Sequence, residues 1–507
     1  MGTFAIPFRR IFLFGGLAVV LVANLGACLQ TSSPVSTSPR EGEDNINGEQ
    51  AEISLTAGEA FLFHTVVAGF NDFSIDSHFH YFPSVANPQN RQVTRPVSLM
   101  GWSLSADTGG SWEYKGKIMP PKGWSAIWGD PSVATDPASS SVIYYAQIAV
   151  SDAAWQAAYG TTNTTSGSPG ADAADGFCIA RSTDGGASFP DVSCKSWARR
   201  PQQADRTALI VDGRGRVWVA QNITQNNAAI DSVVFHSNAT WNDFTMAPHP
   251  PRAGDSEPWL VRDSRGDIWF SAREGTGVGL QHWNGAAWDE AFDVAGQCRL
   301  TLPARDPLLG TGQALRLAHS YSLEIGPNES GVFSVRAVVA QRRTDQRQFL
   351  QAIEINSNNP GRCIVPSTWS TIDDDGQQFE PSLSFQSRAG QPWWQLVYLS
   401  TARVPNATQA YVHPEGVRVA APTFGNTILF FLEFPTDLTP TNWFACTRED
   451  PSAPSQYWGD YVGVTQVQDA NGAWLSIAGY SDSTPAPPCQ AQTPYLSRPT
   501  HVRSTTW

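Results

Sequence analysis

The chain contains no run of basic residues, no CxxC pair and no glycine-rich loop leading from a strand into a helix. Each absence removes a class of function. An acidic chain, formal net charge −13, without a basic stripe has no electrostatic footprint for nucleic acid. Without CxxC there is no zinc knuckle or thioredoxin-type redox pair. Without the glycine-rich loop there is no phosphate cradle of the nucleotide-binding kind. Charged residues make up only 16% of the 507 positions, too few for a chain of solvated helices. What is abundant is tryptophan (19), glycine (42) and proline (36), the composition of a packed, turn-rich β protein.

The apolar run at the N-terminus, Ile11–Ala23, is too short to predict a membrane span. With Arg9 and Arg10 before it, it predicts a signal peptide over residues 1–27. The run closes on LGAC, Leu25 to Cys28, which resembles a bacterial lipobox. That resemblance implies cleavage before Cys28 and lipid attachment to it. With Leu29 next, where that family's inner-membrane retention signal has Asp, it implies an outer-membrane or cell-surface location. Residues 28–50 are Ser, Pro, Gly and acids, and predict a flexible tether from the lipid. Beyond Cys28 there are six cysteines, an even number suited to an oxidising compartment. Nearest-neighbour pairing gives Cys178–Cys194, Cys298–Cys363 and Cys446–Cys489, one of fifteen connectivities.

From residue 51 to 507 one pattern recurs, and we read a single domain. An acid opens a short apolar strand, a Gly- or Asp-containing turn follows, and an aromatic-rich strand returns. The acids are Glu52, Asp130, Asp205, Glu257, Glu380 and Asp460; a seventh unit opens at His319. The starts are 52 to 80 residues apart. Such repeats predict an all-β fold, a β-propeller of four-stranded blades. Seven starts favour seven blades; six also fits if the first and last units share one.

Two stretches repeat more tightly: SADTGGSW (Ser105, Asp107, Gly109, Trp112) and STDGGASF (Ser182, Asp184, Gly186, Phe189). The Asp can accept from the turn's own N–H groups, the Gly can take positive φ, and the aromatic starts the next strand. Both resemble the Asp-box (BNR repeat) of the sialidase-like propeller superfamily. In that family the motif is structural and lies away from the active site. HWNGAAW, His282 to Trp288, reads as a worn copy.

In a propeller the first strand of each blade lines the central channel, so the opening acids gather at one mouth. Six carboxylates there must pair with Arg, with backbone N–H groups or with a cation; the ring admits a Ca²⁺. Alternatively, each acid ties its strand to the next blade. EPWLVRDSRGDIWFSAREG, Glu257 to Gly275, resembles the sialidase segment in which a Glu activates a Tyr nucleophile and an Arg holds the sugar carboxylate. That resemblance makes Glu257 the activating acid and Arg273 a carboxylate ligand. Arg342 or Arg343 would be a further Arg, Tyr321 or Tyr461 the nucleophile, with Tyr461 preferred, and Asp130 the general acid. Asp205, Glu380 and Asp460 complete the substrate-binding ring. The chain departs from the family in lacking the F/Y-R-I-P segment. Trp124, Trp128 and Trp458 offer either faces for sugar stacking or propeller core and loop plugs. HFH, His78 to His80, reads as a surface loop, and no metal site is predicted. The sequence therefore predicts a monomeric, membrane-anchored propeller that binds a glycan or other envelope component, without catalysis. The alternative is an exo-glycosidase of sialidase type acting on acidic sugars.

Overall fold

The computed structural model describes residues 35–36, the greater part of 50–400, and short strands beyond, from Tyr411–Ala420 to Thr500–Thr506. Cys28, Tyr461, Asp460, Arg343 and Trp458, together with the signal peptide, lie outside the described residues. So do the side chains of Glu380 and Arg342.

The described residues are mostly strand, with few and short helices. Among the described residues seven mainly antiparallel sheets follow one another along the chain, the second of them with one parallel pair at its edge. Their first strands are β1 (Gln50–Ala60), β2 (Ser132–Asp136), β3 (Gln203–Val211), β4 (Asp255–Arg262), β5 (Tyr321–Pro327), β6 (Gln378–Arg388) and β7 (Gly463–Gln468). Each contains, or starts within three residues of, one of the seven predicted openings. In the third sheet the strands run in chain order, from β3 through Val217–Gln225 and Ala228–Ser237 to Phe244–Met246. Each first strand packs on the next, and β7 packs back on β1. The seventh sheet is completed from the other end of the chain, because Val35–Ser36 pairs antiparallel with Thr500–Thr506. Part of the stretch read as a tether is therefore sheet edge.

Period-2 alternation in these strands feeds apolar side chains into the spaces between sheets. Val67, Trp102, Tyr145 and Phe189 fill the space between the first and second sheets. Phe177, Val219 and Phe235 fill the next, and Trp218, Phe270, Trp283 and Trp288 the one after. Val261, Leu280, Leu323 and Ile353 lie between the fourth and fifth. A sheet hydrophobic on both faces cannot stand alone, which is why the units stack.

The two S-x-D loops join the third and fourth strands of the first and second sheets, and they fold alike. Asp107 Oδ1 accepts from Ser105 Oγ and Ser111 N, and Oδ2 from Ser111 Oγ. Asp184 does the same with Ser182 and Ser188. Gly109 and Gly186 have φ +95° and +93°, and each donates its N–H to the opening serine hydroxyl. Burial raises each carboxyl, but its hydrogen bonds outweigh that and hold it below the ordinary value. Phe189 packs between sheets against Trp102 and Tyr145, and Trp112 against the other face of the first sheet. HWNGAAW occupies the same place in the fourth sheet, with Asn284 Oδ1 accepting from Ala286 N and Ala287 N.

Cys178 and Cys194 are direct cross-strand partners and form a disulfide, as nearest-neighbour pairing predicts. Cys298 is also disulfide-bonded. Insertions after the second strands of the first two sheets pair through Arg91–Thr94 and Thr164–Ser166 and carry helices α1 (Asp152–Tyr159) and α2 (Pro169–Ala173). Trp128 is buried with Trp155 beneath this insertion, so it is a core residue and not a stacking face.

Candidate functional site

In four of the first strands the ladder slips at or beside the opening residue. The ladder register slips at residue 52 in β1, 206 in β3, 257–258 in β4 and 380–381 in β6. Arg206 and Glu257 have φ +50° and +54°, and Asp130, just ahead of β2, has +59°. Such bulges re-aim a side chain out of the ladder.

Two of the acids are aimed at the next sheet. Asp130 Oδ2 accepts from Arg206 N at 2.8 Å. Glu257 Oε2 accepts from Ser320 N at 2.7 Å and Ser320 Oγ at 2.8 Å, while Oε1 takes Arg273 Nη1 at 3.1 Å. Both acids are buried. Carboxylates that hold backbone N–H groups of the neighbouring sheet are ties, and this is how mutual repulsion at the strand starts is relieved.

Arg273 is likewise committed. Its guanidinium donates to Gly275 O, Ser320 Oγ and Pro303 O as well as to Glu257. To hold a sugar carboxylate it would have to exchange these bonds. Tyr321 is buried and donates its hydroxyl proton to Glu257 O at 2.7 Å, a backbone carbonyl rather than a base. Asp205, in β3, is half-buried and pairs in register with Asn222. Arg342 ends the second strand of the fifth sheet, and Glu380 lies on β6. Among the described residues no group of three or more His, Cys, Asp or Glu side chains is placed to hold a metal ion.

The structure does bring other side chains together. A cavity of about 220 Å³ is lined by all seven first strands, through residues 53–55, 131–133, 206–209, 258–260, 324, 382–384 and 463–464. Its lining comes from the beginnings and middles of the strands, not from far-end residues such as Val211 or Arg262. Ser54, Ser132, Thr207, Ser382 and Ser384 are among its lining residues, with Arg206, Trp259 and Glu324; the Ser54 and Ser132 hydroxyls also hold backbone N–H groups of the next sheet. Among the described lining residues Glu324 is the one carboxyl. Burial raises it to about 8, with Arg262 drawing it the other way, so it carries its proton at neutral pH.

Sequence reasoning missed Arg206, Trp259 and Glu324. Their signal is positional. Aligning the units gives Ser54-Leu55, Ser132-Val133, Ala208-Leu209, Trp259-Leu260, Ser322-Leu323, Ser382-Leu383 and Gly463-Val464. Trp259 stands where four units have serine. Glu324 follows the pair where others have Thr56, Ala134, Ile210, Val261, Ser384 and Thr465.

No family model matches the chain, and no curated protein matches it. Solved structures do. An α-L-arabinanase of Penicillium chrysogenum complexed with arabinobiose aligns over 81% of this chain and all of its own, at 10% identity and TM-score 0.41. An α-L-arabinofuranosidase from Fusarium graminearum with an iminosugar inhibitor covers 76% of this chain and 98% of its own, at 10% identity and TM-score 0.42. A Trypanosoma rangeli sialidase in complex with sialic acid covers 91% of this chain and 70% of its own, at 13% identity and TM-score 0.40. Likenesses of this order decide neither activity nor ligand.

Proposed function

We propose that the protein is a seven-bladed propeller of the sialidase-like kind, exported and lipid-anchored through Cys28, that binds a glycan in its axial cavity without cleaving it. The carrying observation is the cavity itself. Seven first strands line it, and four of them bring Ser or Thr residues to it, beside one aromatic residue, one guanidinium and one neutral carboxyl. Few placed polar groups beside an aromatic face make a recognition site for a polyhydroxylated ligand. The S-x-D loops serve as Asp-boxes, clamping the outer hairpins.

Binding is favoured over hydrolysis by where the carboxyls point. Glycosidase chemistry of the two-carboxylate type needs a pair flanking the scissile bond. Here Glu257 and Asp130 face neighbouring sheets, and Glu324 stands alone among the described lining residues. The sialidase alternative needs Arg273 and a tyrosine free to meet substrate; Arg273 and Tyr321 are both held by structural bonds, and the preferred Tyr461 lies outside the described residues.

The test is a glycan array probed with the full chain, followed by reducing-sugar release from each bound glycan. We expect retention of a defined set of glycans and no release. Release that is lost in both Glu257→Gln and Arg273→Ala would instead establish the exo-glycosidase.

A further inference from the structure

We propose that Glu324 is the specificity-determining group of the axial cavity, donating a hydrogen bond from its carboxylic acid to an oxygen of a single terminal sugar unit, so that binding is linked to a proton. The inference rests on the sugar-binding reading above and names the group that does the choosing.

The size and depth of the cavity point to a chain end. About 220 Å³ is below the roughly 300 Å³ at which pockets for drug-sized ligands begin. Its described lining does not include the far ends of the first strands, an arrangement that suits a chain end.

The acid form of Glu324 follows from the sheet around it. Glu324 on β5 lies directly opposite Arg336, which lies opposite Glu354, so the three side chains form one cross-strand row on one face. The row holds two acids and one cation. Arg336 Nε sits 3.6 Å from Glu354 Oε2, and both side chains are almost fully buried, so the cation is committed to Glu354. The other charged groups facing Glu324 are few. Arg262 of β4 acts on it through space, and Arg206 lies at the mouth end of the same cavity. From β6 the described neighbours are the hydroxyls of Ser382 and Ser384. Ionising Glu324 would add a second buried anion to a row with one cation, and burial accordingly raises its carboxyl to about 8. Arg206, the hydroxyls and the Trp259 indole also donate, but among the described lining side chains the neutral carboxyl is the one donor that is lost between pH 6.5 and 9.

The sign is fixed. Below about 8 the acid form is present and the donor is in place; above it the donor is lost and a carboxylate meets the ligand's oxygens. At pH 9 about one chain in ten keeps the proton, so affinity falls roughly tenfold from its value at pH 6.5. The experiment is calorimetric titration of the full chain with methyl glycosides of D-galactose, L-arabinose, D-glucose and N-acetylglucosamine, at both pH values, beside Glu324→Gln. The amide of glutamine donates at both pH values. We expect a roughly tenfold loss in the wild type and a flat profile in the variant. A flat wild-type profile, or a variant that declines in parallel, overturns the assignment to Glu324 while leaving sugar binding intact. Absence of binding by both folded proteins, and of any array signal, overturns the sugar reading and this inference with it.

Discussion

At the scale of the residue, the chain repeatedly uses one carboxylate to hold several N–H groups. Asp212, in the turn from β3 to the next strand, is buried. It accepts from Arg214 N, Arg216 N, Arg216 Nε and Trp218 Nε1. Asp263 repeats the arrangement one sheet later with Arg265, Asp267 and Trp269. Burial raises the Asp212 carboxyl, but these four bonds outweigh it and hold the group below its ordinary value of 3.8. A carboxyl depressed in the folded state stabilises above its unfolded value and loses that contribution as the pH falls through the folded one. We therefore expect Asp212→Ala to lower stability by about 3 kcal/mol at pH 7, and the difference from wild type to shrink below about pH 4, in urea unfolding at each pH. A constant difference down to pH 2 would show that the charge is not what matters. The acids at the strand starts were legible in the sequence as punctuation, but their partners were not. Arg206 N and Ser320 N lie 76 and 63 residues downstream of the carboxylates they meet, a distance that only the stacking of sheets closes. Glu324 was harder still, because in HSYSLEIG it reads as one polar residue of an alternating strand.

At the scale of the element, the register between neighbouring first strands is set by a small motif. Ser54 Oγ accepts from Val133 N, Ser132 Oγ from Leu209 N, and Ser322 Oγ from Leu383 N, each reaching the next sheet. The serine-apolar pair was present in four of the seven units and could have been read as an inter-sheet contact. Its replacements tell where the ring differs: Trp259 lines the cavity and packs on the core between the fourth and fifth sheets, and Gly463 lies where the last sheet meets the first. A Cβ on Gly463 would lie 2.8 Å from Ile53 O and 3.2 Å from Leu55 N, both backbone atoms that cannot swing away. We expect Gly463→Ala to cost about 1–3 kcal/mol through overpacking at this junction, read as a lower melting temperature with unchanged strand content by circular dichroism. An unchanged melting temperature would mean that β7 and β1 are not held in this register.

At the scale of the whole molecule, seven sheet units that cannot bury both faces alone are joined in sequence, and the N-terminal Val35–Ser36 completes the last of them. Fold class and unit starts were readable because strand period, turn chemistry and spacing all agree over hundreds of residues. The cavity was not, because it is assembled from one to four residues of each unit, and no segment carries it alone. The mouth acids drew attention as chemistry, yet Asp130 and Glu257 hold neighbouring sheets together; the proposed function places the ligand in the cavity instead. The most direct test of that claim fills the axis. Ala208 lines the cavity, and Ala208→Trp would occupy it, while Trp259→Ala would remove its aromatic face. Titrating a glycan retained on the array against wild type and both variants, each checked for an intact melting transition, should give binding in the wild type, none in Ala208→Trp and a weakening of at least tenfold in Trp259→Ala. Wild-type affinity in a folded Ala208→Trp chain would place the ligand elsewhere and contradict the axial site.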